Sequence, residues 1–173
     1  MSIEKLLEDL LRREGGYSAH KNDHGGPTKY GITQDTLSKH LGHKASVEEV
    51  KALDKELAKE IYKADYFFGP RIHTLPSELQ AQVFDIAVNS GPRKAVKMLQ
   101  EVLNLAGFEC TVDGMIGPGT RKQAEAAQQA MGPLLNNALC ELREHFYRSI
   151  VANNPTQGVF LEGWLNRAKE FRI

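Results

Sequence analysis

Cysteine is scarce in this chain, at two in 173 residues, and Cys110 and Cys140 form no CxxC pair. Two cysteines are too few for a disulfide framework, so the expectation is two reduced, partly buried thiols. A chain of this length buries a sizeable core without disulfides or metals, as one domain or one domain with an attached lobe. Net charge is also absent, because 22 Lys+Arg balance 22 Asp+Glu. No basic block marks a nucleic-acid partner, and attraction to an anionic polymer has to come from a local patch. No apolar run approaches the roughly 20 residues that cross a bilayer, which argues against stable membrane insertion. The opening MSIEKLLEDLLRREGG alternates charge with leucine and lacks the apolar stretch of a signal peptide. Synthesis in the cytoplasm is the expectation. Alternating strand-type runs are missing outside one early loop, and so are internal repeats and low-complexity segments.

What is present is helical periodicity. Ile3, Leu6, Leu7, Leu10 and Leu11 give the first helix an apolar face, which Gly15-Gly16 ends. Residues 15–32 hold five glycines and one proline and read as a loop, with room for a short hairpin. Thr33 caps a short helix, Ser46 and Glu49 make a capping box, and Asp54 caps a helix stopped by Gly69-Pro70. Leu79, Val83, Ile86 and Ala87 share a helix that breaks at Asn89-Ser90-Gly91-Pro92. A helix from Val96 to Ala106 ends at Gly107, and Thr120 is expected to cap an alanine-rich one. The longest helix starts at Gly132-Pro133, with Leu135, Leu139, Leu142, Phe146 and Ile150 inward. A last helix carries Phe160, Trp164, Ala168 and Phe171. The fold class is mainly α, a helical lobe with a small glycine-rich loop or hairpin.

The chemistry concentrates in Glu14-Gly15-Gly16-Tyr17, Asp23, Gly25-Gly26, Thr28 and Tyr30-Gly31-Ile32-Thr33. Glu14 falls at a helix C-terminus, where the partial negative charge disfavours a carboxylate. An apolar neighbour such as Tyr17 pushes the same way, while Arg12 and Arg13 oppose it. A carboxyl that keeps its proton is what cleavage of a glycosidic bond requires, because the leaving oxygen must be protonated. Flanking glycines let the loop fold back over the helix end. An ionised Asp23 then suits a base for water or a stabiliser of an oxocarbenium-like state, with Thr28 holding the water. The plainer alternatives are an Asp that makes a turn and a solvated Glu at a helix end.

The string EGGYSAHKNDHGGPTKYGIT closely resembles the signature of glycoside hydrolase family 108, whose members look like N-acetylmuramidases: phage-type endolysins and secretion-associated muramidases. The resemblance implies a lysozyme-like α+β fold, Glu14 as the catalytic acid, and bacteriolytic attack on peptidoglycan in the cell wall. The Glu-x8-Asp-x4-Thr spacing is similar to the triad of phage lysozymes and implies Asp23 and Thr28. The threonine spacing is one residue shorter than in that pattern, which brings in Thr33 as a substitute. Residues 98–129 resemble a predicted peptidoglycan-binding segment, through Leu99-Gln100, Leu103-Asn104, Gly107, Asp113-Gly114, Gly117-Pro118 and Thr120. The implied organisation is a catalytic region over 1–91 and a helical region over 92–173, packed together.

Tyr17 and Tyr30 are candidates to stack on sugar rings or are core aromatics. Asn89 is a candidate hydrogen-bonding partner for an N-acetyl group or sugar hydroxyl, or else caps its helix. Phe160 and Trp164 read as core. His20 and His24 flank Asp23, but their spacing is not helical and no HExxH is present, so no metal and no cofactor are expected. The partners implied are glycan strands, with a holin or a secretion system for release, and the protein is expected to act as a monomer. Two alternatives remain at this stage: a lytic transglycosylase, in which Asp23 is dispensable, and a non-catalytic wall-binding or assembly protein.

Overall fold

A computed structural model describes residues 2–19 and 26–173. Asp23, His20 and His24 lie outside the described residues. The chain divides into two compact units, Met1–Asp65 and Tyr66–Ile173.

In the first unit, α1 (Ile3–Glu14) begins at Ser2, whose side chain accepts from the Lys5 amide. Its leucines 6, 7, 10 and 11 are all buried, each contributing about 1.5–3 kcal/mol. The helix ends where Gly15 takes a positive φ of 70° and returns its N–H to the Leu11 carbonyl. A hairpin follows. Its strands β1 (Thr28–Lys29) and β2 (Ile32–Thr33) pair antiparallel, with Thr28 opposite Thr33 and Lys29 opposite Ile32. The two-residue turn has positive φ at both Tyr30 (53°) and Gly31 (77°), the requirement of a type I′ connection. Ser18 pairs with Thr28 through two 2.8 Å backbone bonds, so the chain leaving α1 returns beside the hairpin.

Three capped helices complete this unit: α2 (Gln34–Leu41) from Thr33, α3 (Val47–Ala52) from Ser46 with its full capping box, and α4 (Lys55–Tyr62) from Asp54. Glu8 on α1 accepts from Lys55 at 3.0 Å and Lys59 at 2.6 Å, which seams α1 to α4. The expected stop at Gly69-Pro70 is preceded by a change of winding: the chain passes into a π-helical turn over Lys63–Phe68.

The second unit contains α5 (Ser77–Ser90), α6 (Pro92–Leu105), α7 (Pro118–Met131), α8 (Pro133–Asn153) and α9 (Leu161–Lys169). Helices α5 and α6 pack together, and α8 packs on both and on α9. Thr120 does not cap α7. Pro118 supplies the first residue with its φ already helical, so Thr120 falls inside the first turn and accepts from Gln100 Nε2 at 3.1 Å. Gln100 is fully buried and also bonds Asp113, Met115 and the Gly114 amide, which ties the Asp113-Gly114 loop to α6.

The inward face of α8 also differs from the expected stripe. Leu135 and Leu139 are buried, but Leu142, Phe146 and Ile150 are only half-buried, and the deep positions are Arg143 and Tyr147. The reason is Asp85 on α5, 2% exposed, which draws Arg143 inward. Both cysteines are free thiols; Cys140 is buried and Cys110 partly so. Trp164, half-buried, packs on the Cys140–Tyr147–Ala168 cluster and stacks on the half-buried Phe160 at 5.8 Å, so the pair lies at the margin of the core. Among the described residues, no helix is long and apolar enough to cross a membrane.

Candidate active site

Glu14 is the final residue of α1, and its carboxylate lies directly against the tip of the hairpin. A Cβ on Gly31 would stand 2.9 Å from Glu14 Cδ and 2.7 Å from the Tyr62 hydroxyl, closer than real side chains approach. The turn therefore needs glycine twice over, for its positive φ and for the space that the carboxylate and phenol occupy. Glu14 Oε1 is buried from solvent.

Tyr62, 1% exposed on α4, donates its hydroxyl to the Tyr30 carbonyl at 2.5 Å. The contact holds the hairpin tip where it meets Glu14. Tyr62 was invisible to motif reasoning. It lies next to the apolar face of an amphipathic helix, and its partner is a backbone carbonyl 32 positions away.

Thr28 is nearly buried in β1, at 9% exposure, directly opposite Thr33 and hence on the same face of the hairpin. Thr33, the substitute for Thr28, is engaged as the cap of α2, accepting from the Thr36 amide at 3.1 Å. Ser18 pairs with Thr28 as an isolated antiparallel bridge, and Asp23 lies outside the described residues. Tyr17 is 41% exposed and has the Lys51 ammonium over its ring at 5.5 Å. Lys29 Nζ lies over Tyr30 at 5.7 Å and donates to the Lys51 carbonyl at 2.6 Å. The first unit thus brings Glu14, Tyr62 and the Tyr30-Gly31 tip together, with Thr28 on β1 of the same hairpin.

Asn89 belongs to the second unit and does not cap its helix; the C-cap of α5 is Gly91 at φ 92°. Asn89 Oδ1 accepts from the Tyr147 hydroxyl at 2.5 Å, at the end of a buried polar network. There Asp85 receives Arg143 Nη2 at 2.5 Å and Arg167 through Nε and Nη2 at 2.9–3.1 Å. Burial by itself would push the Asp85 carboxyl up, but the two guanidinium groups together hold it below the ordinary carboxylate value. No cluster of three metal-ligating side chains occurs among the described residues.

Residues 7–91 match the family model described as glycosyl hydrolase 108, and residues 94–169 match the one described as a predicted peptidoglycan domain. The structure of Brucella abortus SagA superposes with a TM-score of 0.84 at 34% identity, covering 98% of this chain and 91% of that one. The chain belongs to glycosyl hydrolase family 108. No curated protein matches it. As a family 108 chain with a peptidoglycan domain, it is a glycoside hydrolase directed at peptidoglycan. The family 108 match ends at Gly91, the residue that separates α5 from α6. It therefore covers the first unit from Leu7 onward and reaches to the end of α5 in the second.

Proposed function

We propose that this protein is an N-acetylmuramidase of lysozyme type, cleaving the β-1,4 bond between N-acetylmuramic acid and N-acetylglucosamine, with Glu14 as general acid. The observation that carries this reading is the placement of the Glu14 carboxylate at a helix end, one oxygen buried, against the tip of a hairpin that has no side chain at Gly31. A carboxyl held this way has a defined direction and keeps an edge near the chain surface, as proton donation to a bound polymer requires.

In the proposed mechanism Glu14 protonates the glycosidic oxygen and the N-acetylglucosamine side departs. The muramyl ring passes through an oxocarbenium-like state. Asp23 stabilises that state or takes the proton of the attacking water, and Thr28 positions the water. Tyr17 and Tyr30 offer ring faces for stacking against pyranose C–H groups, and Asn89 offers a hydrogen bond to an N-acetyl or hydroxyl group. The activity fits a bacteriolytic, endolysin-type role on the wall, with release through a holin or secretion system and action as a monomer.

The test is mass spectrometry of the products released from purified sacculi. Reducing muramic-acid ends support the muramidase reading. 1,6-Anhydro ends would make the protein a lytic transglycosylase, and sacculi that bind the protein yet stay intact would make it a binding protein.

Gly31→Ala probes the same geometry. A β-carbon there displaces the Glu14 carboxylate or the hairpin. Stability falls by about 1–2 kcal/mol, the cost of a left-handed backbone for an alanine. Activity falls much further, by about a hundredfold, because a misplacement near 1 Å costs that much. Thermal melting and muropeptide release measured on the same preparation separate the two effects. Equal, small losses in both would show that the hairpin tip does not position Glu14.

A further inference from the structure

The polar network beneath Asn89 has a direction. Arg143 is fully buried and reaches Tyr147 through Nε, 2.7 Å from the phenolic oxygen. A guanidinium group has donors only, so the Tyr147 oxygen accepts from Arg143 and its own proton points elsewhere. The acceptor available is Asn89 Oδ1, at 2.5 Å. Burial also pushes the Tyr147 hydroxyl up, so it retains that proton. Asn89 is consequently fixed with its oxygen toward the core, where Oδ1 also receives the Ser90 hydroxyl at 3.2 Å. Its Nδ2 is turned the other way. Among the described residues Nδ2 donates to no protein acceptor, although the residue is half-buried. An amide held at its oxygen, with no protein partner at its nitrogen, presents donors, not acceptors, to whatever binds there.

We propose that the Asp85–Arg143–Tyr147 relay is a positioning device that locks the Asn89 amide with its N–H donors outward, for a carbonyl or hydroxyl oxygen of the glycan. The N-acetyl carbonyl is the acceptor that fits best, being the strongest uncharged acceptor on such a strand. The proposal rests on the reading of the chain as an enzyme of N-acetylated glycan. Arg167 also holds Asp85, donating to both of its oxygens, while Arg143 meets Asp85 through Nη2 and Tyr147 through Nε.

The experiment measures calorimetric binding of a tetrasaccharide with two GlcNAc–MurNAc repeats to the full chain carrying Glu14→Gln, so that nothing is hydrolysed. Asn89→Asp is added to this parent. An aspartate keeps the size and still accepts from Tyr147, but it offers no donor. Affinity is expected to fall about tenfold with the melting temperature little changed. Tyr147→Phe keeps the ring but frees the amide to turn over, and a smaller loss of several-fold is expected. The double variant should bind no more weakly than Asn89→Asp alone, since Tyr147 acts through Asn89. A purely structural Tyr147 would instead give additive losses that track the melting temperature. Asn89→Asp binding as tightly as the parent overturns the inference and leaves the enzymatic reading standing. A parent that binds no tetrasaccharide overturns both.

Discussion

Glu14→Gln is expected to leave the protein folded and to lower release of soluble muropeptides from sacculi by about a hundredfold to ten-thousandfold, the range a general acid contributes. The amide has the size of the carboxyl and faces the same open Cα at Gly31, so the packing survives. What disappears is the proton for the leaving oxygen. The helix α1 keeps its four buried leucines and its Gly15 cap, and neither depends on the Glu14 charge. Melting temperature and circular dichroism should therefore match wild type. Equal release by the two proteins would remove Glu14 from the mechanism, whatever its geometry.

Asp85→Asn should be the most destabilising single-atom change in the second unit, at about 3–5 kcal/mol. Removing one partner of a buried ion pair leaves the other charge uncompensated, and Arg143 is fully buried. For a chain of this size the midpoint falls by roughly 6–20 °C. The effect has a pH signature. The Asp85 carboxyl is held below its unfolded value by Arg143 and Arg167 against the opposing effect of burial. The unfolded chain therefore binds the proton more readily, and stability rises with pH across that interval. The contribution is complete above about pH 4, the ordinary aspartate value, and is lost as pH falls through the lower folded value. Calorimetric melting of both proteins from neutral to strongly acidic pH should show the gap closing on the acid side. A gap independent of pH would mean that the loss comes from packing and not from the ion pair.

Much of this architecture was legible in the chain. Leucine spacing in α1, the Ser46–Glu49 capping box, the Thr33 and Asp54 caps and the Gly-Pro breaks at 91–92 and 132–133 are local features. The bonds that enforce them span three or four residues, so adjacent residues announce them. The EGGY motif pointed to the right family for the same reason: it is a contiguous string. Two expectations on the second unit did not survive. Thr120 lies within the first turn of α7, whose N-cap is Gly117, and the inward stripe of α8 turned toward Arg143 and Tyr147. In the second case an arginine counts as outward in any periodic pattern. Only the buried Asp85, 58 positions away, reverses that preference.

The chain alone specified most of the helices, the capped starts of α2, α3 and α4, and the acid at the end of α1. These follow from propensities and hydrogen bonds that close within one turn of chain. The tertiary structure alone decided which groups surround that acid and how they point. Tyr62 meets the Tyr30 carbonyl across 32 residues, and Tyr147 meets Asn89 across 58. The direction of each bond follows from which atoms can donate and from the burial that denies them water. No pattern along the chain encodes either property, because both arise only when distant segments exclude solvent together.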